Sequence, residues 1–162
     1  MNVNDLDESP FNFTLQGTVV PGVQIVDNSS AAYTTTGSWT TVDRNGYQGG
    51  FDITSPGDGS STARFAFNVT AGETYRVSAA WRAYSNRATN ASYTINDGVN
   101  PMTSVSVNQQ LPPNPDQVEG TGLFDVFQDL GTFTISGGQL IVELSNNANG
   151  YVVADAIRIE RL

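Results

Sequence analysis

Short runs in which apolar and polar residues alternate constrain this fold more than any other feature of the sequence. The clearest run covers residues 62–69, and its apolar positions are Ala63, Phe65, Phe67 and Val69. A second run covers residues 74–82, with apolar positions Tyr75, Val77, Ala79 and Trp81. A period of two is that of a β-strand with one buried face. Because the tight turn Ala71-Gly72-Glu73 separates the two runs, we predict that they pair as a hairpin.

Further strands are predicted along the whole chain, separated by turns rich in glycine and asparagine. They lie at 23–27, 38–42, 51–53, 91–95, 105–107, 127–135, 140–144 and 152–160. No segment holds an apolar period of about 3.6 residues for three turns, so no helix is predicted. This pattern predicts an all-β fold, an antiparallel β-sandwich of the jelly-roll type. Residues 1–15 are interpreted as a polar linker, and residues 16–162 as a single β-sandwich binding module.

Composition excludes several classes of function. The 162 residues include no Cys, His or Lys, so thiol nucleophiles, histidine bases, lysine Schiff bases and Cys/His zinc sites are impossible. A net charge of −9 without a basic run argues against nucleic acid as a partner, because phosphate contacts need clustered cations. No run approaches the ~20 apolar residues of a membrane-spanning helix, so membrane insertion is not expected.

The same features suggest where such a chain works. Residues 1–15 have neither the basic start nor the apolar stretch of a signal peptide. We interpret the chain as a module of a longer bacterial protein that is secreted or held at the cell surface, where it is fused to other domains.

Three stretches together resemble a known family. They are Ile-Val-Asp-Asn at 25–28 followed by Thr-Gly-Ser-Trp at 36–39, then Trp81 with Ser-Asn-Arg-Ala-Thr-Asn-Ala at 85–91, and Asn-Ala-Asn-Gly-Tyr-Val-Val-Ala-Asp-Ala-Ile-Arg at 147–158. In this order they resemble the golvesin C-terminal-like domain, also described as the carbohydrate-binding-like domain of xanthan lyases. The resemblance implies a jelly roll of the galactose-binding type and a non-catalytic, extracellular carbohydrate-binding role. An enzyme is not expected.

The sequence departs from the family pattern in one segment. Relatives join the stretch that matches residues 108–110 to the one that matches residues 130–133 through a short turn containing a tryptophan. Here residues 111–129 are longer and rich in proline. Phe124 or Phe127 is a candidate to replace that tryptophan as a platform for a sugar ring.

A sugar site needs aromatic faces that stack on pyranose rings, with amides and guanidinium groups that bind hydroxyls. Residues of these types cluster at predicted strand ends. The candidate ligand-binding residues are Tyr47, Arg82, Tyr84, Asn86, Arg87, Asn90, Asn108, Gln109 and Tyr151. Tyr84 falls outside the strand alternation and Tyr47 lies between glycines, so both are expected to be exposed. A structural role for the amide side chains is equally consistent with the sequence, since such side chains also form hydrogen bonds with the backbone groups of loops.

Three further residues are assigned structural roles. Trp81 continues the inward row of its strand, and Trp39 is expected to fill the core. Asp155 shares the inward face of the last strand, so its carboxylate needs a partner, either an arginine such as Arg87 or N–H groups of a loop.

Charge suggests both a ligand class and an ion. Residues 61–96 hold four arginines against one acid, a local charge of +3, and guanidinium forks bind carboxylates well. An acidic polysaccharide is therefore a candidate partner, unless these arginines pair with acids on neighbouring strands. A structural calcium is also a candidate, from analogy with similar jelly rolls, at Asp27, Asp43, Asp52 and Asp58. The alternative function is a structural surface domain that self-associates and has no glycan affinity.

Overall fold

The fold was obtained as a computed structural model that describes residues 22–98 and 100–162. These residues form thirteen strands and one short 3₁₀ turn at Tyr47–Gly49. The strands are β1 Val23–Asp27, β2 Tyr33–Thr36, β3 Thr40–Val42, β4 Phe51–Thr54, β5 Thr62–Asn68, β6 Thr74–Ala80, β7 Ala91–Asp97, β8 Asn100–Val107, β9 Gln117–Val118, β10 Val126–Thr134, β11 Gln139–Ser145, β12 Val152–Ala154 and β13 Ala156–Arg161. The predicted linker and its boundary at residue 15 lie outside the described residues.

The strands build two five-stranded sheets and a small third sheet. One sheet has the order β1-β13-β6-β10-β9, the other β2-β5-β11-β7-β8, and β12-β4-β3 forms the third. All strand pairs are antiparallel. The apolar faces of the two large sheets supply one continuous core, in which Phe65, Tyr75, Ile95 and Leu140 are almost wholly buried. The predicted all-β jelly-roll sandwich is confirmed.

The predicted hairpin of β5 and β6 is wrong, although both strands lie close to where the alternation put them. β5 pairs with β2 and β11, whereas β6 pairs with β10 and β13 in the opposite sheet. The turn at 69–73 therefore crosses the sandwich, where the Gly72 N–H donates to the Ile135 carbonyl at 2.7 Å. The crossing lets the two apolar rows face each other over the core, whereas a hairpin would set them side by side on one sheet.

The predicted last strand at 152–160 is two strands. β12 pairs with β4, and β13 pairs with β1 and β6, so the chain changes sheet at Asp155. The Asp155 carboxylate is buried and accepts the Tyr47 backbone N–H, at 3.0 and 3.2 Å to its two oxygens. Burial raises the pKa of Asp155 well above its ordinary value; the Tyr47 N–H opposes the rise and the charge of Asp27 adds to it.

Candidate functional site

The segment that follows β6 lines an open cleft of about 310 Å³, which we call the arginine cleft. This volume is at the lower end of the ~300–1,000 Å³ found for ligand pockets. The end of β3 and the turn after it, β4, and the segment after β6 all contribute to the lining. The lining residues are Val42, Arg44, Asn45, Phe51, Ile53, Arg82, Tyr84, Asn86 and Arg87.

Arg87 is the most enclosed cation of the cleft. Its guanidinium carbon lies 5.8 Å from the ring centroid of Phe51 and 5.7 Å from that of Tyr84, within cation–π range. Nη1 donates to Asn86 Oδ1 at 2.7 Å, whereas the buried Nε has no hydrogen-bond partner among the described residues. Burial lowers the pKa of Arg87, and the nearby charge of Arg82 lowers it further. A bound anion would offset the repulsion between the two arginines.

Arg82 and Arg44 complete the positive lining. The Arg82 guanidinium carbon lies 5.1 Å above the Phe124 ring, and Arg44 is exposed in the turn after β3. In the described part of the chain, none of the three cleft arginines forms an ion pair with a carboxylate. Arg44 was not predicted from the sequence; its position beside the glycine-rich turn at 46–50 was the only indication available.

The arginines on the sheet face differ from those of the cleft. Arg76 pairs with Asp129 at 3.4 Å and with Glu160 at 3.3 Å, and the buried Arg158 pairs with Glu119 and Glu160. Arg64 stands opposite Glu143 in the register of β5 and β11. Of the four arginines in the predicted positive region, Arg76 is therefore neutralised by neighbouring acids, while Arg82 and Arg87 are not.

Tyr84 and Asn86 lie at the rim of the cleft. Tyr84 is 61% exposed, which confirms its predicted exposure, and its ring is beside the Arg87 guanidinium. Asn86 is exposed and holds Arg87 through its side-chain oxygen. The structure thus brings together four of the nine predicted ligand-binding residues, and their role in stacking and hydrogen bonding remains a prediction.

The predicted exposure of Tyr47 is wrong. The 3₁₀ turn folds its ring inward, where it is 8% exposed and meets the Phe127 ring edge-on at 5.4 Å between centroids. Burial raises the pKa of the Tyr47 hydroxyl. Phe127 is itself wholly buried, so neither ring can serve as a surface platform. Phe124 remains partly exposed, beneath Arg82.

Gln109 is also interior, which contradicts its prediction as a ligand-binding residue. It is 0% exposed, and its Nε2 donates to the Tyr93 hydroxyl at 3.0 Å and to the Val153 carbonyl at 2.8 Å. Its Oε1 accepts the Val153 N–H at 2.9 Å. The amide therefore pairs backbone groups of β12 inside the sandwich. Its neighbour Asn108 is exposed and accepts the Gln110 N–H at 3.0 Å, which fixes the local turn.

Asn90 and Tyr151 do not line the cleft. Asn90 Oδ1 accepts the Asn149 N–H at 2.8 Å and so ties two loops together. Tyr151 is 40% exposed, but its side chain faces a neighbouring polar pocket of about 240 Å³ that also contains Ser38 and Asn146. Only its backbone reaches the cleft segment, through its N–H donated to the Asn86 carbonyl at 3.1 Å.

The three residues assigned structural roles lie within the fold or pack against it. Trp81 belongs to the core, as predicted. Trp39 is half-buried against the core and its indole N–H donates to the Thr36 carbonyl at 3.1 Å. Asp155 has a loop N–H as its partner, so of the two predicted alternatives the arginine is the wrong one.

Of the acids predicted to bind calcium, Asp27 and Asp43 line one pocket together with Gly49 and Gly50. No group of three or more acidic side chains is suited to a metal ion within residues 22–98 and 100–162. When the Asn28 side-chain amide is oriented to pair its N–H groups with acceptors, its nitrogen donates to Asp27 Oδ1 at 3.0 Å and to the Gly50 carbonyl at 3.2 Å. This amide satisfies oxygens of the kind that calcium would bind. These contacts do not test whether calcium binds, so the calcium site stays a prediction.

The strand architecture and the cleft built from its loops define a jelly-roll β-sandwich domain. The described part of the chain has no helix long and apolar enough to cross a membrane. Residues 24–161 match the Golvesin C-terminal domain, and the chain belongs to that family. The resemblance inferred from the sequence motifs is confirmed.

Solved structures share this fold. A Paenibacillus xanthan lyase is 30% identical, with a TM-score of 0.68 over 87% of this chain and 13% of the lyase. A CBM35 from Cellvibrio japonicus Abf62 is 18% identical, with a TM-score of 0.57 over 85% of this chain and 91% of that one. A family 35 carbohydrate binding module from an environmental isolate is 16% identical, with a TM-score of 0.57 over 84% and 91%. No curated protein matches the sequence.

Proposed function

We propose that the chain is a non-catalytic carbohydrate-binding module whose arginine cleft holds an acidic polysaccharide. The observation that carries the proposal is the lining of the cleft, which contains an exposed tyrosine and three arginines without carboxylate partners among the described residues.

The chemistry of the cleft matches an anionic sugar. A guanidinium group offers a planar fork of N–H donors that binds a carboxylate through two parallel hydrogen bonds. The Tyr84 ring offers a flat apolar face on which the C–H face of a pyranose can stack. Because the protein as a whole carries −9, this positive cleft would be the part that attracts an acidic polymer.

The comparisons support the class of ligand and the setting. Two of the similar structures are named as carbohydrate-binding modules and another as a xanthan lyase. The chain spans 13% of that lyase, which supports a domain fused to others. We propose that the parent protein is secreted or held at the cell surface. We propose no reaction for the cleft, since its lining lacks the carboxylate pair that most glycosidases use.

Affinity electrophoresis in gels that contain acidic or neutral polysaccharides tests the proposal. Acidic polymers should retard the protein, and added salt should weaken the retardation. Arg87→Gln should lower the affinity at least about tenfold, since a hydrogen bond to a charged group contributes roughly 1.5–3 kcal/mol. Arg76→Gln is the matched control, because Arg76 already pairs with acids on the sheet.

Two results would contradict the proposal. One is the absence of retardation by every acidic polymer, and the other is equal loss of affinity in the Arg87 and Arg76 variants. Melting temperatures of both variants separate lost binding from lost folding, and Arg82→Gln provides a second cleft variant. Repeating the series with calcium and with a chelator tests the calcium prediction, which expects a lower melting temperature in chelator.

A self-associating structural domain is the second candidate function. Leu111, Val118 and Leu123 are 61%, 56% and 89% exposed, and exposed apolar side chains of this size favour contacts between proteins. This function expects a particle mass that rises with concentration in light scattering and no affinity for any glycan.

A further inference from the structure

A small apolar slot adjoins the arginine cleft. It has a volume of about 70 Å³ and lies between the end of β6 and the segment 112–126. Its apolar walls are Trp81, Pro112, Pro113, Leu123, Phe124 and Val126.

Arg82 forms the boundary between slot and cleft, since it lines both. Its guanidinium carbon lies 5.1 Å from the ring centroid of Phe124, which also lines the slot. A guanidinium group carries five N–H donors that can meet a polar ligand atom. A molecule that reached from the cleft into the slot would therefore pass a hydrogen-bond donor on the way.

The slot is held in shape by bonds from the segment around it. The Trp81 indole N–H donates to the Leu111 carbonyl at 2.8 Å, and the Asn114 N–H donates to Gln128 Oε1 at 3.1 Å. On the other side the Glu119 N–H donates to the Asp125 carbonyl at 2.8 Å. A preformed slot costs less ordering when it is filled, which favours binding.

Size and lining together restrict what fits. A volume of about 70 Å³ is far below the ~300 Å³ at which pockets for whole small molecules begin. A pyranose ring is therefore too large, whereas a two-carbon group fits. Apart from Arg82, the side chains that line the slot are apolar, which suits a methyl group inside and a carbonyl oxygen at the boundary.

We infer that the slot binds the methyl end of an acyl substituent, an O-acetyl group, on the anionic glycan held in the cleft. The carbonyl oxygen of that group accepts an Arg82 N–H, and its methyl contacts Phe124 and Val126. The inference rests on the proposed function and adds a substituent to its ligand class. No covalent step is involved.

The test compares each acidic polymer with its acetylated form. Alginate, polygalacturonate and hyaluronan are chemically O-acetylated at low density, which leaves their carboxylates unchanged, and binding is measured by affinity electrophoresis at fixed salt. Wild type should bind at least one acetylated form about threefold or more tightly than its parent. This threefold preference is smaller than the roughly tenfold or larger discrimination that one methylene group produces in an enclosed hydrophobic pocket, because the slot is open at one side.

Two variants distinguish the slot from a general effect of acetylation. Val126→Thr keeps the shape of the side chain and places a hydroxyl in the slot, so it should remove the preference and leave affinity for the parent polymer unchanged. Leu111→Ser is the matched control, since Leu111 is exposed on the same loop but does not line the slot. It should keep the preference.

The possible outcomes separate the two proposals. Equal affinity of wild type for acetylated and parent polymers overturns the slot and leaves the proposed function standing. Failure of every polymer to bind overturns both. A preference that survives in Val126→Thr also overturns the slot. If wild type dimerises in light scattering and Leu123→Ser does not, a second copy occupies the slot and the acyl site is overturned.

Discussion

Two polar clusters follow strand ends in this molecule, and the structure uses them in opposite ways. After β6, residues 82–87 turn outward and leave guanidinium groups without carboxylate partners among the described residues. After β8, the side-chain amides of residues 108–110 form hydrogen bonds with backbone groups of β12 and of the adjoining loops. Both clusters look alike in sequence. What separates them is whether the hydrogen-bonding capacity of each side chain is already used.

The largest effect that this comparison predicts is on stability, at Gln109. Gln109→Leu should lower the free energy of unfolding by about 3 kcal/mol, because it leaves the N–H and C=O of Val153 buried without partners at roughly 1–3 kcal/mol each. Urea unfolding measures the loss. Gln110→Ala, an exposed neighbour, should cost about 1 kcal/mol or less. A stable Gln109→Leu protein that fails to bind glycan would place Gln109 in the ligand site instead.

The next effect is on binding, at Tyr84. Tyr84→Ala should weaken the affinity for an acidic polysaccharide about twofold to tenfold, since an aromatic face contributes roughly 0.5–1.5 kcal/mol beyond simple burial. Its melting temperature should not change, because the ring is 61% exposed. Tyr151→Ala is the matched control, an exposed tyrosine that faces the neighbouring pocket and should keep full affinity. Equal losses in the two variants would mean that the cleft is not the site.

A smaller effect concerns pH and the buried carboxylate of Asp155. Its folded-state pKa is raised, so the folded protein retains a proton that the unfolded chain has lost. The stability that this group contributes is complete below its ordinary pKa of about 3.9 and decreases as pH rises toward the folded-state value. Asp155→Asn removes this dependence and keeps an acceptor for the Tyr47 N–H. The difference in free energy of unfolding, variant minus wild type, should therefore increase between about pH 4 and pH 7 when both proteins are measured with a chelator present. A difference that stays constant with pH would contradict the raised pKa.

The smallest effect is expected at Asn108. Its side chain accepts one N–H in an exposed turn and lines neither the cleft nor the slot. Asn108→Ala should change the free energy of unfolding by about 0.5–1 kcal/mol and leave glycan affinity unchanged. A clear loss of affinity would show that the second cluster contributes to binding after all.

The sequence predicted the strands better than their partners. Alternation marks which residues face the core, and the inward rows of β5 and β6 are buried as expected. It carries no information on which strand pairs with which, so the crossing at 69–73 was not predicted. The division of the last strand at Asp155 was missed for a related reason, since the apolar pattern continues across the change of sheet.

The residues of the arginine cleft were predicted where they are contiguous in the sequence. Arg82 to Arg87 lie in one segment and reach one cleft, whereas Arg44 joins them from the end of β3 only through the tertiary fold. The burial of Gln109 did have an indication in the sequence. It continues the inward phase of Val105 and Val107 by one more step, so its side chain faces the interior like theirs.

The bond between the Asp155 carboxylate and the Tyr47 N–H joins residues 108 positions apart. It anchors the turn that carries Arg44 and Asn45 at the rim of the cleft. During synthesis that turn leaves the ribosome long before its anchor does. The rim can therefore reach its final conformation only after the last strands have docked, so the cleft forms late in folding. A chain that ends before Asp155 would lose the anchor of the rim together with β13.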